Sequence, residues 1–187
     1  RNQKVHSFNA HKGEIFRLLY IEEKDILVSS GLDNCVYAWD CRQNMKQVSY
    51  MKRHAGPVYA LEYIPDLNCI VSGGEDCVLK FWTVENAKEM NQQIRTSDMK
   101  IGSLCYIKKS KRLAVGFDTG EIQLINLIGA NKKVVYTLKG HHQYVFNLAS
   151  VEEQNVLVSG SDDGFVRLWK LYPGRGECIR KFGMQNK

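Results

Sequence analysis

The sequence predicts an all-β chain built from four tandem copies of one unit of 43 or 44 residues. Three segments end alike: Val28-Ser29-Ser30-Gly31-Leu32-Asp33 running to Trp39-Asp40, Val71-Ser72-Gly73-Gly74-Glu75-Asp76 running to Trp82, and Val158-Ser159-Gly160-Ser161-Asp162-Asp163 running to Trp169. A histidine, His11, His54 or His141, stands 28 residues before each of these tryptophans. Trp39 and Trp82 lie 43 residues apart and Trp82 and Trp169 lie 87 apart, so a further unit fits between the last two. It is Ala114-Val115-Gly116-Phe117-Asp118-Thr119-Gly120 running to Ile125-Asn126, with Ile125 at the tryptophan position.

Within each unit, apolar residues alternate or run over short stretches and are broken by Gly, Asp, Asn or charged pairs, the pattern of short strands joined by hairpins. No stretch keeps a helical period. In the first unit the strands are expected at about Glu14 to Tyr20, Ile26 to Ser29, Cys35 to Trp39 and Gln47 to Met51. The units divide the chain into 9–51, 52–95, 96–138 and 139–183, and residues 1–8 read as the outer strand of a preceding unit, the strand itself at Lys4 to Phe8.

Composition narrows the class. With 44% hydrophobic and 25% charged residues the chain has the balance of a globular domain and is neither disordered nor fibrous. Its apolar runs fall far short of the roughly 20 residues a spanning helix needs, so no membrane span is expected. The first residue is Arg1 and no charged-then-apolar leader follows it, so no secretory signal is expected and the sequence reads as a piece of something longer. Six cysteines, Cys35, Cys41, Cys69, Cys77, Cys105 and Cys178, form no Cys-x-x-Cys pair, which argues against zinc and against a disulfide framework. No metal and no cofactor is expected, and the location expected is intracellular, cytoplasmic or nuclear.

Repeats of this length, with four strands and a histidine-to-tryptophan signature, resemble the blades of WD-repeat β-propellers, and the resemblance covers essentially the whole chain. It implies four blades of four antiparallel strands each, part of a seven- or eight-bladed ring. Seven units would need about 300 residues at this period, so the remaining blades are expected from sequence outside this chain or from another chain. The resemblance also implies a hydrogen-bonded tetrad in each blade. The tetrads are His11, Ser29, Asp33 and Trp39; His54, Ser72, Asp76 and Trp82; and His141, Ser159, Asp163 and Trp169. The third unit replaces all four with Ser97, Val115, Thr119 and Ile125, and is expected to be the loosest.

A histidine, serine and aspartate recurring together invite comparison with a nucleophilic triad. Catalysis needs such a set once, whereas this one recurs three times inside strands, away from any strand-to-helix elbow. The reading is therefore structural, with no catalytic residue and no enzyme activity expected. Gly73-Gly74 and Gly160 are read as hairpin residues with no helix following, so no phosphate-cradling loop is expected. Neighbouring His141 and His142 point to opposite faces of a strand and make no metal pair; His142 and His6 read as surface residues. Arg175, in Pro173-Gly174-Arg175-Gly176, does not reproduce the Phe-Arg-Arg-Gly phosphoinositide signature of some propellers.

In propellers of this family the top face is the usual docking surface, with contacts three and five residues after the tetrad histidine and one before the tetrad aspartate. Carried onto this chain, those positions are Glu14, Phe16 and Leu32; Pro57, Tyr59 and Glu75; Lys100, Gly102 and Asp118; and Tyr144, Phe146 and Asp162. Four aromatic residues bordered by acids suit an apolar anchor or a Lys or Arg of a peptide. The resemblance thus implies a non-catalytic scaffold that docks a peptide or protein domain within a larger complex. The alternative is nucleic-acid association through the basic hairpin turns Lys108 to Arg112 and Lys132 to Lys133; with basic residues otherwise scattered and a net charge of +6, nucleic acid is not the expected partner.

Overall fold

The computed structural model describes residues 7–51, 54–84, 89–127 and 132–183. Sixteen strands form four separate antiparallel sheets, each made from four consecutive strands in sequence order. The first comprises β1 (Ile15–Ile21), β2 (Ile26–Gly31), β3 (Val36–Asp40) and β4 (Lys46–Met51); the second β5 (Val58–Ile64), β6 (Cys69–Gly74), β7 (Val78–Thr83) and β8 (Glu89–Arg95). The third comprises β9 (Ile101–Ile107), β10 (Arg112–Phe117), β11 (Ile122–Asn126) and β12 (Val134–Leu138); the fourth β13 (Val145–Val151), β14 (Val156–Ser161), β15 (Phe165–Leu171) and β16 (Gly176–Gly183). No α-helix occurs among the described residues, and no helix is long and apolar enough to cross a membrane.

Local chemistry fixes the turns. Each first strand passes into its second through a one-turn 3-10 helix closed by a residue in the left-handed region: Asp25, Asn68, Lys111 and Asn155. Three of the four are Asp or Asn, whose short polar side chains tolerate that conformation best. Of the basic segment Lys108 to Arg112, Lys108 to Lys111 form one of these turns and Arg112 begins β10. Gly73, Gly74 and Gly160 lie in the last residues of β6 and β14, and the hairpin turns follow them. Of the outer strand expected at Lys4 to Phe8, Lys4 to His6 fall outside the described residues, as do the segments 52–53, 85–88, 128–131 and 184–187; Ser7 and Phe8 are not in a strand.

Successive first strands lie against one another, β1 on β5, β5 on β9 and β9 on β13, so the sheets stand side by side like blades with their first strands innermost. Three apolar cores fill the gaps between them. Val28, Val36, Ala38 and Met51 of the first sheet meet Leu61, Ile70 and Trp82 of the second. Val71, Leu79 and Phe81 of the second meet Leu104, Leu113 and Ile125 of the third, and Ala114, Ile122 and Leu124 of the third meet Leu148, Leu157 and Trp169 of the fourth. Trp82, Ile125 and Trp169, at one template position, thus pack their blades on the apolar face of the blade before. Such burial is the main stabilising term, about 25 cal/mol for each Å² of apolar surface removed from water.

A leucine at one template position shows how context sets burial. Leu61, Leu104 and Leu148 are 1%, 2% and 9% exposed, while the equivalent Leu18 in the first blade is 59% exposed, since no described blade covers that face. The third blade, which lacks the tetrad, is covered by apolar cores on either side, and β9 is buried along its whole length.

Candidate functional site

The tetrad positions come together in three blades with the same geometry. The Trp39 Nε1–H donates to Ser29 Oγ at 3.0 Å, Ser29 Oγ lies 2.8 Å from His11 Nε2, and His11 Nδ1 lies 2.8 Å from Asp33. In the second blade the corresponding separations are 2.7, 2.7 and 2.8 Å, and in the fourth 2.8, 2.7 and 2.9 Å. Donor counting orders the protons. A serine that accepts from the indole has one O–H left, which goes to Nε2, so Nδ1 carries the imidazole proton and gives it to the carboxylate. Each aspartate also accepts from the backbone N–H after its histidine, at Lys12, Ala55 and His142, and from the N–H two residues beyond itself.

In the fourth blade the electrostatics agree with a neutral imidazole between an ionised carboxylate and a hydroxyl. Burial works to raise the carboxyls of Asp33, Asp76 and Asp163, but hydrogen bonds from the histidine and the backbone outweigh it and hold all three below the usual carboxylate range. Burial pushes the His141 imidazole below its usual range, despite the opposing pull of Asp163. The Ser–His–Asp distances match those of a nucleophilic triad, yet Ser29, Ser72 and Ser159 are buried and already accept a hydrogen bond from an indole. The set ties the loop before the first strand to the second and third strands.

The third blade uses other bonds. Val115 and Ile125 occupy the serine and tryptophan positions inside the apolar cores. Asp118 accepts from the Lys100 N–H at 3.1 Å, and the buried Ser103 hydroxyl donates to the Val145 carbonyl at 2.8 Å, linking this blade to the next. Among the described residues no group of three or more His, Cys, Asp or Glu side chains could hold a metal ion.

The positions singled out for docking gather on one rim because the same backbone bond recurs in all four blades. The N–H of Leu32, Glu75, Asp118 and Asp162 donates to the carbonyl of Glu14, Pro57, Lys100 and Tyr144, at 2.9, 2.9, 3.1 and 2.9 Å. The next rim position is a β-bulge. In β1 the pairing steps from Ile15 with Gly31 to Arg17 with Ser30, leaving Phe16 as the extra residue; Tyr59, Gly102 and Phe146 are the extra residues of β5, β9 and β13. Bulges turn a side chain out of the strand's alternation, here toward the inner side of the blades.

These residues form a row of rings. Phe16 and Tyr59 meet edge to face at 5.1 Å, Tyr59 and Tyr144 at 6.3 Å, and Tyr144 stacks on Phe146 at 4.5 Å. Gly102 interrupts the series of bulge aromatics, and the Tyr144 ring fills its place, lying against the Gly102 α-carbon. Together the four rings wall a cleft of about 620 Å³, with Ala60 contributing a methyl group, Gly102 bare backbone, and Arg17 and Asn147 polar side chains.

The acids at the rim are not equivalent. The Glu75 carboxylate accepts the Tyr59 hydroxyl at 2.9 Å and forms an ion pair with Lys100, whose ammonium holds it below the usual carboxylate range. Glu14, Asp118 and Asp162 form no ion pair among the described residues. Burial raises the Tyr144 phenol, and Tyr59, Asp118 and Glu75 add to the effect. Leu32 and Phe146 are exposed, and Pro57 is half-buried.

Sequence reasoning did not find Arg17, Ala60 and Asn147 in the cleft, since each is one step from a bulge and simple alternation places it elsewhere. The one legible signal was Gly102, a glycine where the other units have Phe or Tyr. The basic segments have partners within the fold. Lys111 pairs with Asp66 at 2.9 Å, Arg112 donates to the carbonyls of Tyr172 and Pro173, and the Lys132 ammonium lies 3.7 Å from the centre of the Phe81 ring.

Comparison with known proteins adds independent support. The model of the family described as WD domain, G-beta repeat matches residues 2–40, 45–83 and 132–170, passing over most of the unit that lacks the tetrad. The chain is 27% identical over 184 residues to THO complex subunit 6 homolog of Danio rerio, covering 97% of this chain and 45% of that protein. It is 27% identical over 172 residues to WD repeat-containing protein srw1 of Schizosaccharomyces pombe, covering 90% of this chain and 30% of that one. Protein FIZZY-RELATED 3 of Arabidopsis thaliana is 25% identical over 168 residues, 87% of this chain and 34% of its own length. The chain spans less than half the length of these relatives.

Proposed function

This chain belongs to the WD domain, G-beta repeat family, and we propose that it serves there as a non-catalytic docking module whose contact surface is the rim and cleft built on the four bulged inner strands. The observation that carries this reading is the row of Phe16, Tyr59, Tyr144 and Phe146 around an open cleft of about 620 Å³. Aromatic side chains supply large contact area at low conformational cost and dominate the energetics of interfaces. Bulges hold Phe16, Tyr59 and Phe146 at the inner edge of the sheets rather than in the cores between blades. One similar protein is itself named as a subunit of a complex.

The test is affinity purification from native extract with wild type, Tyr59→Ala, Phe146→Ala and, as a control on an outer strand, Tyr50→Ala, followed by reconstitution with the purified partner. Loss of the same partner from both cleft variants, and its retention by the control, supports the reading. Equal retention by all four proteins overturns it.

A further inference from the structure

We infer that the cleft takes a peptide segment in which an aromatic or branched aliphatic side chain stands beside a lysine or arginine, the apolar group entering the cleft against Tyr59 and Tyr144 and the cation resting on Asp118 and Asp162. The inference rests on the docking reading above and gives its occupant a chemistry.

The apolar half follows from the walls. Tyr59, Tyr144, Phe146 and Phe16 present ring edges and faces, and Gly102 and Ala60 keep the intervening wall free of bulky side chains. A polar group placed there would lose water and find few partners, because the Tyr59 hydroxyl is already given to Glu75 and the Ser103 hydroxyl to the Val145 carbonyl. An apolar side chain gains most from such a space.

The cationic half follows from which charges are already spent. Glu75 is neutralised by Lys100 and occupied by Tyr59, so it offers little to a newcomer. Asp118 and Asp162 stand on the same rim without an ion-pair partner among the described residues, and Asp162 is bonded through its backbone to Tyr144 itself. Both acids therefore flank the ring that forms one wall of the cleft, where the π-faces of Tyr144 and Phe146 add a further attraction for a cation. Arg17 lines the cleft, where it repels a second cation and sets the orientation: apolar group in, charge at the rim. The same acids disfavour a phosphate-bearing partner.

A random-peptide phage library panned on the 187-residue chain, counter-selected on Tyr59→Ala, supplies the probe; the most enriched peptide is then synthesised and titrated by fluorescence anisotropy. Expected are enriched sequences that pair an apolar anchor with Lys or Arg, and binding about 10-fold weaker in the isosteric double variant Asp118→Asn/Asp162→Asn, with a similar loss when salt is raised. Peptides that bind wild type but not Tyr59→Ala or Phe146→Ala, and that lack a basic residue or ignore the double variant, overturn the charge assignment and leave the docking reading standing. Selected peptides that are acidic do the same. Failure of any peptide to distinguish wild type from Tyr59→Ala overturns both.

Discussion

The phenol ring of Tyr144 lies across the α-carbon of Gly102, so that a Cβ at residue 102 would run into the ring and into the Val145 carbonyl. Gly102→Ala is therefore expected to destabilise the fold by about 2–3 kcal/mol, since one obstacle is backbone and cannot rotate away. In a Tyr144→Ala background the same change should cost less, by about 1 kcal/mol, because the second obstacle is gone. Urea denaturation of the four proteins of this cycle measures the coupling; additivity would show that the ring does not oppose the methyl group.

Two buried serines make opposite forecasts. Ser72 is shared between Trp82 and His54 at 2.7 Å each, whereas the Ser49 hydroxyl is buried with no hydrogen-bond partner among the described residues. Ser72→Ala leaves an indole N–H and an imidazole nitrogen without a partner and should cost about 2–3 kcal/mol. Ser49→Ala removes a desolvated hydroxyl and should be neutral or slightly stabilising. Urea midpoints that move equally would contradict the roles assigned here.

Glu62 faces the third blade from the inner strand β5, and burial pushes its carboxyl up to about 7, against opposing hydrogen bonds from the backbone at Tyr106 and Tyr63 and weaker pulls from Arg17 and Lys108. The folded protein thus favours the protonated form. Stability from this group is fully present below the unfolded value of 4.5 and is lost as pH rises toward about 7. Glu62→Gln should remove that loss and stabilise the protein at pH 8 by up to about 3 kcal/mol. Thermal melts across this range should show a flatter profile for the variant; parallel profiles would place the carboxyl in water.

The tetrads carry the opposite sign. His141 has a lowered folded pKa and Asp33, Asp76 and Asp163 lowered ones as well, so their contributions are present above the unfolded values of 6.5 and 3.8 and fade as pH falls below each. In the Glu62→Gln background, His141→Gln should weaken the acid-side dependence that sets in as pH falls below about 6.5. An unchanged slope there would assign that titration to another group.

On the face opposite the rim, the Glu152 carboxylate accepts the N–H groups of Lys108 and Lys109 at 3.0 and 3.2 Å and the Ser150 hydroxyl at 2.9 Å, fastening the fourth blade to the turn of the third. Glu152→Ala should cost about 1–2 kcal/mol and speed hydrogen exchange at the Lys108 and Lys109 amides. Exchange unchanged at those two positions would show that the clasp does not hold the turn.

Much of the fold was legible because it is written with a period. A strand pattern, an Asp or Asn at a turn and a His, Ser, Asp and Trp at fixed offsets each follow from local sequence, and the strands expected in the first unit differ from the observed ones by one or two residues at their ends. The rim positions are those that the family resemblance implies, carried onto this chain by offset. Their inequality was not legible: Glu75 and Asp118 occupy the same template position, but only Glu75 has a tyrosine hydroxyl and a lysine from the next blade within reach. The missing tetrad of the third unit is visible in sequence, whereas its burial between two neighbouring sheets is not, because the covering residues belong to other units.

By itself the sequence determined the repeat, the class of fold and which residues share a template position, since these depend on spacing along one strand or one hairpin. Only the tertiary structure decided what each position meets. Leu18 and Leu61 are the same residue in the same place in the repeat, one in water and one in a core, because packing depends on which blade stands beside it. Tyr144 reaches over Gly102 for the same reason: the space it fills is made by another unit, 42 residues away along the chain.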